Sequence, residues 1–219
     1  MKILAVSDAE CAALWDNFVS GSLEEYDLIL ACGNLKAEYL SFLVTMARCP
    51  VLYVPGDGDD YKAEVPEGCD CIDDHLLVYN GLRILGLGGC VKTQSGDHRY
   101  TDYQMARRVA KLHHKIKRLG GLDVVVTHAP AKGLGDGAEP ADSGFPCFLE
   151  LMELYCPKFL IHGHVRPRYT PGYGTLQREH TYQDTTVVNA WERCTIEVPD
   201  NEFKEKHRNK IIWKTRHKD

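Results

Sequence analysis

Five short apolar runs in this chain each stop at an acid, an amide or a histidine. Ile3-Leu4-Ala5-Val6 leads to Ser7-Asp8, Leu28-Ile29-Leu30-Ala31 to Cys32-Gly33-Asn34, and Val51-Leu52-Tyr53-Val54 to Pro55-Gly56-Asp57-Gly58-Asp59. Val124-Val125-Val126-Thr127 leads to His128, and Leu160-Ile161 to His162-Gly163-His164-Val165-Arg166. Apolar runs of this length, bounded by glycine, proline or polar residues, predict strands buried on both faces. Sites in α/β proteins form in the loops outside the carboxyl ends of such strands.

Between the runs the period lengthens to that of helices. Helices are predicted over about 9–19, 36–47, 101–118 and 145–155. The second places Leu40, Leu43, Val44 and Ala47 on one face and stops before Pro50. The third opens with Thr101 and Gln104 at capping-box spacing, carries Met105, Val109, Leu112 and Ile116 as its inner stripe, and closes at Gly120-Gly121. Its opposite side, with Arg107, Arg108, Lys111, Lys115 and Lys117, reads as a solvated face. Leu76 to Tyr79 and Leu82 to Leu87 flank Asn80-Gly81, a favoured hairpin turn. Thr185 to Asn189 and Cys194 to Val198 read as a second antiparallel pair. Parallel units joined to hairpins predict an α/β fold of two mixed sheets packed face to face with helices outside.

Composition narrows the class. With 219 residues and 44% apolar content, one domain over 1–198 is expected, followed by a basic tail over 199–219 that holds Ile211-Ile212-Trp213. No run approaches the roughly 18 apolar residues of a membrane span. The short start, Met1 to Val6, does not read as a signal peptide. Nine scattered cysteines, an odd number, fit reduced thiols in a cytoplasmic protein better than a disulfide framework, and Cys69-Asp70-Cys71 lacks partners for a zinc knuckle. A net charge of −5 argues against general nucleic-acid binding. Gly86-Leu87-Gly88-Gly89 lacks the G-x-G-x-x-G spacing of a dinucleotide site.

The order of the five run ends resembles the calcineurin-like metallophosphoesterases, whose pattern is D-x-H, G-D, G-N-H-D/E, a lone His and G-H-x-H. The resemblance covers about residues 1–198, and it implies a four-layer αββα sandwich of two mixed β-sheets flanked by helices. Carried over by position, one metal set becomes Asn34, Asp57, His128 and His164. The other becomes Asp8, Glu10, Asn34 and Arg166. Arginine has no lone pair to give a metal, so the second of these sets reads as lost. The first suits a single divalent transition ion, Mn, Zn or Fe.

The resemblance therefore implies a metal-dependent phosphoesterase, a phosphodiesterase or phosphatase with a reduced, mononuclear site. Its partner would be a phosphate-ester small molecule or a phosphorylated protein. Arg166 is expected to pair with Asp8 or hold a substrate phosphate, and Asp59 to orient neighbouring groups. Gly58 stands where the family has a histidine, which removes a general acid and implies slow chemistry. His162 and His180 are the other candidates for that role. A catalytically inactive member that keeps the cleft for a phosphorylated ligand is the alternative. Residues 129–144, rich in glycine and proline, are expected to overhang the cleft, and Arg168 and Tyr169 to lie near the substrate.

Overall fold

The computed structural model describes residues 1–61, 64–167 and 177–199; Arg168, Tyr169 and the tail from 200 onward lie outside them. In chain order the strands are β1 (Lys2–Val6), β2 (Leu28–Ala31), β3 (Val51–Tyr53), β4 (Asp70–Cys71), β5 (Leu76–Tyr79), β6 (Leu82–Leu87), β7 (Cys90–Val91), β8 (Arg99–Tyr100), β9 (Val124–Thr127), β10 (Phe159–His162), β11 (Glu179–Tyr182), β12 (Thr185–Asn189) and β13 (Cys194–Glu197). The α-helices among the described residues are α1 (Ala37–Met46), α2 (Asp102–Arg118) and α3 (Pro146–Tyr155).

The five apolar runs are indeed strands, and they divide between two mixed sheets. One has the order β13-β1-β2-β3-β4, with β1, β2, β3 and β4 parallel and β13 antiparallel at the edge. The other has the order β11-β12-β10-β9-β6-β5, with a parallel centre and antiparallel strands at both edges. A third, two-stranded parallel sheet joins β7 to β8.

Alternation along each strand sorts its side chains into separate apolar clusters. Ile3, Ala5, Leu28, Leu30 and Leu52 of the first sheet share one cluster with Ile84, Val124, Val126 and Ile161 of the second. The other face of the second sheet packs Leu85, Val125 and Leu160 against Met105, Leu112 and Ile116 of α2 and Phe148 and Leu151 of α3. The other face of the first packs Leu4, Val6, Ile29 and Val51 against Tyr39, Leu40 and Leu43 of α1.

Three expectations change. Residues 9–19 form a single 3-10 turn, Ala12–Leu14, in place of a helix. Cys11 at its start offers no side-chain cap, and the segment packs Leu14, Trp15 and Phe18 against the α1 side of the first sheet. Next, β12 and β13 are not partners. β12 pairs with β11 and β13 with β1, so the chain crosses from one sheet to the other at Ala190–Arg193. The crossing is pinned by Ala190 N donating to His162 O at 2.7 Å and Glu192 N donating to Ser7 O at 2.8 Å.

The third change concerns Arg108, which is 8% exposed rather than solvated. Its guanidinium pairs with Asp73, reaches Asp74 at 2.9 Å and Gly88 O at 2.7 Å, and lies over the Tyr100 ring. The rest of α2 follows its sequence. Thr101 and Gln104 form the capping box, and the Asn80-Gly81 turn takes positive φ at both residues.

Candidate metal centre

All five strand ends meet. Asp8 follows β1, Asn34 follows β2, Asp57 follows β3, His128 follows β9 and His164 follows β10. Asn34 Nδ2 lies 3.2 Å from both Asp8 Oδ1 and Asp57 Oδ1. Asp57 Oδ1 lies 3.3 Å from His128 Nε2, which is 3.1 Å from His164 Nδ1. The backbone N–H of His164 donates back to Asp8 Oδ2 at 2.7 Å, closing the ring.

Asp8, Asn34 and His164 all adopt left-handed φ, at 61°, 56° and 67°, a conformation uncommon outside glycine that concentrates at functional sites. Glycine makes the close approach feasible at Gly163. A Cβ there would stand 1.8 Å from Ser7 Oγ and 2.4 Å from Asp8 Oδ2.

The two imidazoles are oriented by backbone carbonyls. His128 Nδ1 lies 2.6 Å from Cys32 O, and His164 Nε2 lies 2.8 Å from Ala141 O. A carbonyl only accepts, so each of these nitrogens carries a proton and donates it. The neutral forms then turn lone pairs from His128 Nε2 and His164 Nδ1 toward each other and toward Asp57 Oδ1, 3.7 Å from His164 Nδ1. Two facing lone pairs and a carboxylate oxygen require a cation among them, either a proton or a metal ion.

The spacing fits a metal. Donors about 2.1 Å from a tetrahedral ion stand about 3.4 Å from one another. The observed separations of 3.1, 3.3 and 3.7 Å bracket that edge. Carbonyl bonds on the remaining nitrogens are the outer support that metal-ligating histidines use.

Without a metal the electrostatics favour a proton. Burial works to lower the pKa of His128, but the Asp57 hydrogen bond, the Asp8 charge and the Cys32 carbonyl together raise it. The hydrogen bond from His128 in turn holds the Asp57 carboxyl far below the usual range, helped by Asn34. Asp57 Oδ2 faces away from the imidazoles and accepts from Arg99 Nη2 at 2.8 Å. Arg99 on β8 is a site residue that sequence reasoning missed.

Cys90 is another. Asp57, Cys90 and His164 form a group whose donor atoms all lie within 4.8 Å of one another. The thiol is 2% exposed, and burial, with the Asp57 charge, pushes it up to about 12. The signal for both residues was topological. β6 runs parallel to β9, so the turn after it arrives at the same rim.

The other expected residues take different places. Asn34 Oδ1 accepts the Gly58 N–H at 2.8 Å, which fixes the amide with its NH2 toward the two carboxylates and its oxygen turned from the imidazoles. Asp8 is already satisfied, since Oδ2 accepts from Ser7 Oγ at 2.6 Å and from His164 N, and Oδ1 from Asn34. Among the described residues no bond joins Asp8 to Arg166, which is exposed beside a separate cavity lined by Asp136, Gln177 and His180. The Asp8–Arg166 pair is therefore corrected. An amide takes the place beside Asp8 that the sequence reading assigned to a guanidinium.

Asp59 Oδ2 accepts the amides of Gly56 and Asn34 at 2.7 and 2.8 Å, so it holds two loops in place. Its pKa is raised by burial, against those two bonds. Glu10 Oε1 accepts from Lys36 N at 3.4 Å and makes no bond to the other site residues among those described. His162 is fully buried behind the rim, and its Nε2 has no partner among the described residues. The 129–144 segment does meet the site, because it supplies Ala141 O to His164.

A cleft of about 620 Å³ opens beside Asp8 and Asn34, lined by Glu10, Asp59, Asp60 and Glu64 with Lys36 as its cation. No helix among the described residues is long and apolar enough to cross a membrane.

No protein-family model matches the chain, and no curated protein matches it. Solved crystal structures resemble its fold, two of them as follows. One has a TM-score of 0.62 at 16% identity, over 87% of this chain and 90% of its own. The other, the protein TT1561 of Thermus thermophilus, has a TM-score of 0.57 at 16% identity, over 87% and 89%. At that identity the likeness extends to the fold alone.

Proposed function

We propose that this chain is a metal-dependent phosphoesterase of the calcineurin-like type, working from one divalent ion held by Asp57, His128 and His164. The observation that carries the reading is the convergence of two carbonyl-oriented imidazole lone pairs and one carboxylate oxygen at tetrahedral spacing. The order of the strand-end residues along the chain supports the family. The three apolar clusters support the four-layer αββα arrangement that accompanies it.

When bound, a transition ion at these donors supplies Lewis acidity and activates water for attack on a phosphate ester. The chain's own residues do the rest. Arg99 holds the far oxygen of Asp57 and so turns Oδ1 inward. Asn34 takes the place of a second cation, because its NH2 bridges Asp8 and Asp57. Arg166 lies beside the separate cavity, so Lys36, the cation of the acidic cleft, is the group we assign to the phosphate oxygens. The acidic lining opposes an anionic ester, which makes that positive charge necessary for binding.

A second reading follows from Asn34 and Gly58. A carboxylate pair already bridged by an amide's hydrogen bonds, with glycine at the acid position, also suits a catalytically inactive protein that binds a phosphorylated ligand. The test is metal content per chain in protein purified without chelator, followed by hydrolysis of chromogenic phosphate mono- and diesters with Mn, Zn or Fe. We expect about one ion per chain and slow hydrolysis that disappears in Asp57→Ala. One ion without hydrolysis under any metal supports the second reading. No bound ion refutes the first.

A further inference from the structure

The cavity beside the β10 loop has a volume of about 260 Å³ and shares no lining residue with the acidic cleft. Sites for drug-sized ligands run from about 300 to 1,000 Å³, so this one suits a smaller molecule. Asp136 and Arg166 bring opposite charges to it, yet among the described residues they do not pair with each other. Asp136 Oδ2 has two long contacts, from Gly144 N at 3.4 Å and Lys132 Nζ at 3.7 Å, and Oδ1 has none among the described residues. The side chains of Arg166 and Gln177 make no hydrogen bond among those residues either. The wall behind them is fixed, since Asn189 Nδ2 donates to Val165 O at 2.7 Å and Asn189 Oδ1 accepts from Trp191 N at 2.9 Å. His162 backs the same wall. A Cβ built on Gly135, which lines the cavity, would stand 3.2 Å from His162 Nε2. His162 Nδ1 lies 2.9 Å from Gly163 O and donates to it, so Nε2 keeps a lone pair, which has no partner among the described residues. That lone pair adds negative potential where Asp136 follows Gly135.

We propose that this cavity binds a free α-amino acid as its zwitterion, with the carboxylate on Arg166 and the ammonium on Asp136 beside Gly135. The inference is independent of the metal reading above. A guanidinium fork matches a carboxylate and binds it through paired N–H donors. The ammonium donates to Asp136 Oδ1, the oxygen that the protein leaves without a donor among the described residues. A simple anion gains from Arg166 but is repelled by Asp136, and a simple amine meets the reverse. A ligand carrying both charges is therefore favoured over either, and the discrimination comes from the repulsion as much as from the attraction. Val165 and Pro167 offer apolar surface to the ligand's hydrocarbon, and Gln177 offers one donor group and one acceptor.

Calorimetry on wild type with the common L-amino acids tests this without reference to hydrolysis. For the tightest binder, two analogues follow: the matching α-hydroxy acid, which lacks the ammonium, and the amino-acid amide, which lacks the carboxylate. Each is expected to bind at least about tenfold more weakly than the amino acid itself. Arg166→Ala and Asp136→Asn are expected to lose at least about tenfold as well, and the asparagine keeps an acceptor for Gly144 N. Wild type stripped of metal is expected to bind the amino acid as tightly as before, since the site needs no ion. If wild type binds none of the amino acids, the proposal is overturned. It is overturned too if either analogue binds as tightly as the amino acid, or if both variants keep wild-type affinity. Binding that vanishes with the metal places the amino acid on the ion and also overturns it. Should either variant fail to fold, the analogue comparison on wild type decides the question.

Discussion

Asn34 shows how a single side chain rewrites a site. Its amide NH2 reaches two carboxylates at 3.2 Å each, and its oxygen holds the Gly58 N–H. A carboxylate at this position would place three negative charges together and call for a cation, whereas the amide satisfies two of them without one. Behind the rim, His162 gives a prediction at the same scale. Burial lowers its pKa to about 4, so the folded protein keeps it neutral where the unfolded chain protonates it. Its contribution is therefore intact above the unfolded value near about 6.5 and is lost as the pH falls from there toward about 4. The penalty reaches about 3 kcal/mol. Urea unfolding of the metal-free protein at neutral pH and again near the folded pKa checks this. Between the two, His162→Phe is expected to lose up to about 3 kcal/mol less than wild type.

Among the elements, α2 does more than cover a sheet. Arg108 leaves the helix's solvated face to bind Asp73, Asp74 and the carbonyl of Gly88, and Asp73 in turn holds the Gly88 N–H. One guanidinium thus fixes the turn that delivers Cys90. Arg108→Met removes the charge and leaves carboxylates and a carbonyl without their donor. It is expected to destabilise the fold by about 3–5 kcal/mol, measured by denaturant unfolding. Arg107, Lys111, Lys115 and Lys117 do remain exposed, so the sequence placed that face correctly apart from one residue.

For the molecule as a whole, the donors come from both sheets, Asp57 after β3 of one and His128 and His164 after β9 and β10 of the other. An ion at their junction binds only the folded chain and so stabilises it. Zinc at about 100 times its dissociation constant is expected to add about 2.7 kcal/mol, seen as a raised unfolding midpoint, and Asp57→Ala is expected to abolish the gain. A midpoint in wild type that does not respond to zinc, manganese or iron would refute a metal bound at this junction.

The apolar runs, their polar ends and the capping signals are local, so strand positions, α1, α2, α3 and the Asn80-Gly81 hairpin could be read from the chain alone. So could the meeting of Asp8, Asn34, Asp57, His128 and His164, because parallel strands deliver their carboxyl ends to one rim. Pairing partners were not local. β13 crosses to β1 instead of returning on β12, because hydrogen bonds to Ser7 and His162 set the path of the intervening turn. The same holds for Arg99, Cys90 and the inward turn of Arg108. Arg99 lies 42 positions from Asp57 and Arg108 lies 35 from Asp73, and only packing decides which buried donor meets which acceptor across such separations.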